Sequence, residues 1–182
     1  MIRSLVLAPA CLAALLAASL QSPAAEPADK IRRGEYLATI GLCNDCHTPL
    51  KTTPDGPVPD MSRMLSGHPA AAGATPPIRL PEPWMAAIGP SLTAFSGPWG
   101  VSYAANLTPD PETGVLRGFT EAQFVATLRN GRHQGQGREI LPPMPWPWIG
   151  KMTDEDLGAL FAYLRQIPPV RNRVPDPLPP VN

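Results

Sequence analysis

Cys43-Asn44-Asp45-Cys46-His47 is the stretch on which the reading of this 182-residue chain turns. A Cys-x-x-Cys-His run is the attachment signature of c-type haem. The spacing has a chemical reason. Two thiols add across two vinyl groups on neighbouring edges of the porphyrin, and two intervening residues set a helical turn that reaches both. The next residue then projects its imidazole at the iron from one face, and neutral imidazole is a good iron ligand. Cys43, Cys46 and His47 are therefore expected to hold one covalently bound haem c, with His47 on the metal. A zinc centre would want further Cys or well-spaced His, and only His68 and His133 remain. A redox dithiol would want a strand–helix–strand setting, and a disulfide three positions apart closes too small a loop to staple anything.

Upstream of the motif the N-terminus reads as an export signal. Arg3 is the only charge before Glu26, and an apolar run spans Leu5 to Leu20. Small residues follow at Ser22, Ala24 and Ala25, the pattern of a secretory signal peptide. The run is short for a membrane span of roughly 20 residues, and no stop-transfer flank supports the competing reading of an uncleaved anchor. Residues 1–25 are expected to be the signal, cut after Ala24 or Ala25 and taking Cys11 with it. The exported chain is placed in the periplasm, with peripheral association at the inner membrane through a partner. Losing Arg3 from 15 basic residues leaves 14 against 15 acidic, a net charge of −1. That balance gives no electrostatic case for nucleic acid or an anionic membrane surface.

Downstream, three helices are predicted. The first covers roughly Ala28 to Ile40 and leads straight into Cys43. The second starts at Thr120, where Gln123 completes a capping box, Phe119 staples onto Phe124, and Gly131 suits a C-terminal cap. The third starts at Thr153, with three acidic residues in its first turn, a Met152–Leu157 staple and a stop at Pro168-Pro169. With 26 prolines, short helices joined by stiff extended loops are expected rather than a sheet protein. The stretch from His47 to Gly118 shows little periodicity. A loop that long is uncommon unless it is functional or wraps something, and a haem is a large apolar object to wrap. Residues 26–170 are taken as one monohaem domain and 171–182 as a Pro-rich extended tail.

The second face of the iron needs a ligand or stays open. Met144 is the favoured candidate. It sits in Leu141-Pro142-Pro143-Met144-Pro145-Trp146, where three prolines fix the backbone and exclude helix or central strand. Such a strap presents a thioether in one place. Met85, Met61, Met64, His68 and His133 stay open as alternatives. A His/Met pair raises the reduction potential and suits electron transfer. Trp99, Trp146 and Trp148 are candidates for keeping water from the haem, with Trp84 at the surface.

Gly34-Glu35-Tyr36-Leu37 ahead of the haem motif, Met144 in its Pro-rich loop, and Leu160-Phe161-Ala162-Tyr163-Leu164 in the last helix together resemble class I cytochromes c. The resemblance implies an all-α, cytochrome c-like fold of three to four short helices, with long Pro-rich loops wrapped around one covalent haem. It also implies that the first and last helices cross at Gly34 and Tyr163. More narrowly, the run from Tyr103 to Gly114, Met144-Pro145-Trp146 and Met152 to Leu157 resemble the cytochrome c subunits of bacterial membrane-bound alcohol, aldehyde and gluconate dehydrogenases. Those subunits carry three haem motifs, whereas this chain carries one, and residues 65–100 are longer and richer in Pro than the usual module. The resemblance implies that the Asn106–Gly114 loop lies beside the haem edge, where Asn106 and Thr108 donate hydrogen bonds. A plain Asx/Pro turn is the competing reading there.

The expected function is electron transfer by a periplasmic His/Met-ligated monohaem cytochrome. It would accept electrons from a dehydrogenase and pass them to a respiratory chain, as a carrier or subunit rather than an enzyme. A haem-based sensor or assembly subunit with a labile distal ligand is the alternative. The site residues are Cys43, Cys46, His47, Met144, Asn106, Thr108 and Trp146.

Overall fold

The computed structural model describes residues 27–181, so the reading of residues 1–25 as a signal, Cys11 included, lies outside the described residues. Helix α1 (Pro27–Ile40) buries Leu37 and Ala38. The chain then turns at Leu42, whose φ of 56° is left-handed, into the single-turn α2 (Cys43–His47). Helix α3 (Glu121–Asn130) opens on the predicted capping box: Thr120 Oγ1 accepts from the Gln123 amide, and Gln123 Oε1 accepts from the Thr120 amide. It closes on Gly131 at φ 64°. A short α4 (Trp146–Ile149), not expected from the sequence, precedes α5 (Asp154–Leu164). Thr153 Oγ1 caps α5 by accepting from the Asp156 amide.

The helices form the frame. α1 packs against α5, and α3 against α5 and α4. The α1–α5 crossing occurs at Gly34, where a Cβ would land on the Ala159 carbonyl oxygen and lie 2.7 Å from Tyr163 Cβ. Only a residue with no side chain permits that approach. Phe124, Leu128, Leu157, Leu160, Phe161 and Leu164 fill the space between the helices, with the Phe124 and Phe161 rings 5.2 Å apart.

The all-α expectation is overturned. Among the described residues, five α-helices share the chain with two antiparallel sheets, giving a mixed α and β class. The first sheet pairs β1 (Leu50–Thr53) with β2 (Gly56–Pro59). The second has three strands, β3 (Ala87–Ile88), β4 (Ala94–Gly97) and β5 (Gly100–Tyr103), in that spatial order. Both lie in the stretch read as irregular loop. Their strands are two to four residues long, too short to show a period, and Pro57 and Pro59 argue against strand by composition. Pro is tolerated in β2 because that strand belongs to a two-stranded ribbon whose edges are open. The β4–β5 turn is Pro98-Trp99, with Gly97 opposite Gly100, and Gly100 takes φ 93°.

The C-terminal residues run extended along this sheet and are pinned to it. Val101 and Leu178 exchange backbone hydrogen bonds of 3.0 and 2.9 Å. Asn172, 3% exposed, is the central anchor. Its Nδ2 donates to the Ser66 and His68 carbonyls, and its Oδ1 accepts from the Ala70 amide and Arg63 Nη2.

Candidate haem-attachment site

One helical turn, α2, carries Cys43, Cys46 and His47, and the left-handed Leu42 fixes its direction relative to α1. The loop that follows clamps it. Thr48 Oγ1 donates to Asn44 Oδ1 and accepts from the Leu65 amide, while the Gly67 amide donates to the His47 carbonyl. Leu65 makes this clamp at φ 57° while fully buried. A non-glycine residue holds that conformation only where its surroundings over-determine it.

Both thiols are half-buried and unpaired. Burial pushes the Cys43 thiol up to about 11, and burial, with Asp45 beside it, also raises Cys46. These are protonated thiols, the reverse of the depressed thiolates that bind zinc or run dithiol exchange. A neutral S–H is the group that adds across a vinyl C=C. Among the described residues no three His, Cys, Asp or Glu side chains are grouped to hold a metal ion on their own.

His47 is buried, and its Nδ1 lies 2.8 Å from the Ala105 carbonyl oxygen. A carbonyl only accepts, so Nδ1 carries the hydrogen and Nε2 holds the lone pair. Burial lowers the His47 pKa, against the opposing effect of the Ala105 bond, and keeps the ring neutral. This is the orientation that a backbone carbonyl gives a metal-ligating imidazole. The donor set thus fits a covalently attached haem: two neutral thiols and a tautomer-fixed imidazole on one turn.

Met144 lies half-buried on its Pro-rich strap and packs against the same apolar cluster as Cys43, with Met64, Leu107 and Trp146. Ser102 Oγ donates to the Pro142 carbonyl at 2.5 Å and ties the strap to β5. Of the other candidate ligands, Met64 is likewise half-buried against this cluster, and the rest are placed differently. Met61 and Met85 are solvent-exposed. His68 has both ring nitrogens engaged, Nδ1 with Thr93 Oγ1 and Nε2 donating to the Gly73 carbonyl. His133 is half-buried beside Arg138, and burial lowers its pKa to about 4. Trp146 is half-buried with its ring over Gly131, where a Cβ would meet it. Trp99 folds onto Gly97 of its own hairpin. Trp84 is exposed, as expected, and so is Trp148, at 76%.

Asn106 and Thr108 are both buried, and their polar atoms are engaged with the chain itself. Asn106 Oδ1 accepts from the Thr108 amide and hydroxyl, and Asn106 Nδ2 donates to the Val170 carbonyl at 2.8 Å. The Val170 amide in turn donates to Thr108 Oγ1. Their loop is thereby tied to the C-terminal segment. Sequence reasoning missed Asn172 on the far side of that tie, and nothing in Val170-Arg171-Asn172-Arg173 signals it.

No family model matches the chain. It is 30% identical over 167 residues to the cytochrome c subunit of a quinone-dependent alcohol dehydrogenase from Gluconobacter oxydans, covering 89% of this chain and 27% of that protein. It is 30% identical over 133 residues to the gluconate 2-dehydrogenase cytochrome c subunit of Pantoea cypripedii, covering 73% and 22%. It is 29% identical over 143 residues to the fructose dehydrogenase cytochrome subunit of Gluconobacter japonicus, covering 79% and 22%. The chain thus spans about a quarter of the length of these curated relatives. With its two unpaired thiols and oriented imidazole on one turn, the chain is a cytochrome c module homologous to part of the cytochrome c subunits of bacterial dehydrogenases.

Proposed function

We propose that this chain is a periplasmic monohaem electron-transfer protein that takes electrons from a dehydrogenase and passes them to a respiratory chain, as a carrier or subunit rather than the catalytic component. The observation that carries the reading is the pairing of His47 Nδ1 with the Ala105 carbonyl, which leaves Nε2 as a fixed lone pair on the turn that bears both thiols. Haem c supplies a one-electron iron couple when bound.

The chain's own residues do the rest. Cys43 and Cys46 would hold the cofactor through thioether bonds, which keep it from being lost outside the cytoplasm. His47 Nε2 would ligate the iron, and the Ala105 carbonyl holds that ring in register. Met144 would supply the second protein ligand to the iron. Its half-burial against the same cluster as Cys43, on a strap stiffened by Pro142, Pro143 and Pro145, supports the choice. Trp146 keeps water from that side. Asn106 and Thr108 brace the loop around the site through Val170. Two ligands held in place by the chain would suit the group to outer-sphere electron transfer. No helix among the described residues is long and apolar enough to cross a membrane, and membrane association is assigned to the partner. The near-neutral charge gives no case for nucleic acid.

The test is the mass and spectrum of protein made in a host able to attach haem c. The expected result is one haem mass on the polypeptide and a sharp reduced α-band. Met144→Ala should abolish the weak red ferric band of sulfur-ligated iron and lower the potential, since His/Met ligation raises it. Bare polypeptide mass from such a host would refute haem attachment, and a ferric band that survives Met144→Ala would move the distal ligand elsewhere.

A further inference from the structure

The Pro-rich stretch that follows His68 helps to form an open groove of about 360 Å³, with Ile78, Leu80, Pro98, Pro180 and Val181 in its walls. Trp84 and Met85 also border it, and they are 70% and 69% exposed. Side-chain hydrogen bonds hold this stretch in place. His68 Nε2 donates to the Gly73 carbonyl, and the Ile78 amide donates to Ser96 Oγ. Between them the Tyr103 hydroxyl accepts from the Thr75 amide and donates to the Thr75 carbonyl. A turn closed by the Trp84 amide on the Pro81 carbonyl, at 3.0 Å, then sets the indole at the surface. The exposed indole and thioether are thus mounted on an ordered segment. An apolar surface of this kind marks an interaction site, and Trp, Met and Arg are the residues enriched at protein interfaces.

Shape and charge together name the occupant. The groove and the two large side chains at its border belong to one patch, so a copy turned about a two-fold axis offers a knob to each groove and a groove to each knob. A two-fold interface demands such self-complementarity. The charges follow the same pattern. Arg79 lines the groove, and Glu82 stands two residues before Trp84. Both are exposed, and among the described residues neither forms an ion pair. We propose that this groove seats a second copy of the chain. In the resulting two-fold dimer, Trp84 and Met85 of each copy fill the groove of the other, and Arg79 of each copy pairs with Glu82 of the other. A lipid surface is a poorer fit, because a single arginine balanced by a glutamate gives no cationic cluster for an anionic membrane.

This pairing goes beyond the electron-transfer reading and stands without it. Burial of the indole and thioether drives association, and the two Arg79–Glu82 pairs at the rim fix register more than affinity. The edge of β5 is already taken by Leu178, so the copies meet through side chains rather than by extending the sheet. The patch is small, which places the dimer among weak and reversible ones.

Sedimentation of the haem-loaded chain at low salt, from micromolar to millimolar concentration, reads the association. Wild type should pass from monomer to dimer. Trp84→Ala should raise the dimer Kd by about tenfold or more, as truncation of a central interface tryptophan does. Arg79→Glu and Glu82→Arg should each weaken the dimer further, because like charges then face each other across the axis. Mixing those two variants should restore a dimer containing one copy of each, since every facing pair is then of opposite sign. All three positions are exposed, so melting temperatures measured at monomeric concentration should not move. Wild type that stays monomeric throughout, or a dimer indifferent to Trp84→Ala, would overturn the proposal. So would a mixture of the two charge variants that fails to pair. Sedimentation of wild type with anionic phospholipid vesicles, lost in Trp84→Ala, would assign the patch to a lipid surface and overturn it as well.

Discussion

The helical frame and the wrapping segments are held together by different forces. Between α1, α3 and α5 the contacts are apolar and close: Leu157 is fully buried, and Gly34 lets two backbones touch. Around the attachment turn the ordering comes from hydrogen bonds made by single buried polar side chains. Thr48 holds Leu65, Asn106 and Thr108 hold Val170, and Asn172 holds residues 63–70. Apolar packing is spread over many contacts and degrades gradually. A polar anchor is concentrated, and removing it leaves several buried groups without partners. The frame therefore sets global stability, and the anchors set whether the wrapping closes.

That distinction can be broken at its strongest point first. Leu157→Ala should cost about 3 kcal/mol, within the usual range for a buried leucine. At roughly 3 °C per kcal/mol for a chain this size, the melting temperature should fall by about 9 °C, with all probes melting together. Asn172→Ala should cost about 2 kcal/mol by stranding buried carbonyls and an amide. Its signature should be local: faster hydrogen exchange and proteolysis at residues 170–178, with α1, α3 and α5 protected as before. Uniform loss of protection in this variant would erase the difference between frame and wrapping.

The smallest expected effect comes from Asp110, whose carboxylate accepts from the Thr113 hydroxyl and amide and from the Glu112 amide. These bonds, the Thr113 hydroxyl foremost, hold its pKa below the usual carboxylate value. A depressed folded-state pKa stabilises above the unfolded value and is lost as pH falls through the folded one. Acid titration of stability should show that loss below the ordinary carboxylate range, and Asp110→Asn should remove it. An identical acid limb in Asp110→Asn would show that these bonds add nothing to stability.

How much could be read in advance follows the same division. Helices α1, α3 and α5 were legible because their determinants are local: Thr120 and Gln123 are three residues apart, and Gly131 follows the last turn of α3. That Cys43, Cys46 and His47 share one turn was legible because they are near neighbours in sequence. Strands β1 to β5 were not, since two to four residues cannot display an alternation, and Pro57 and Pro59 carried the opposite signal. The ordering of the C-terminal segment was hidden for another reason. Asn172 bonds to residues more than 100 positions earlier, and no local pattern encodes such a meeting. Asn106 and Thr108 were found through the resemblance, which drew attention to their loop but not to its tie with Val170.

The reciprocal bond pair between Val101 and Leu178 has a consequence beyond holding the chain's end. β5 is the outer strand of its sheet, and an outer strand offers unpaired N–H and C=O groups to any other extended chain. Leu178 occupies those groups on Val101, and Pro177, Pro179 and Pro180 on either side have no N–H with which to continue the ladder. The polypeptide thus plugs its own template for self-association with a segment that cannot recruit a further strand.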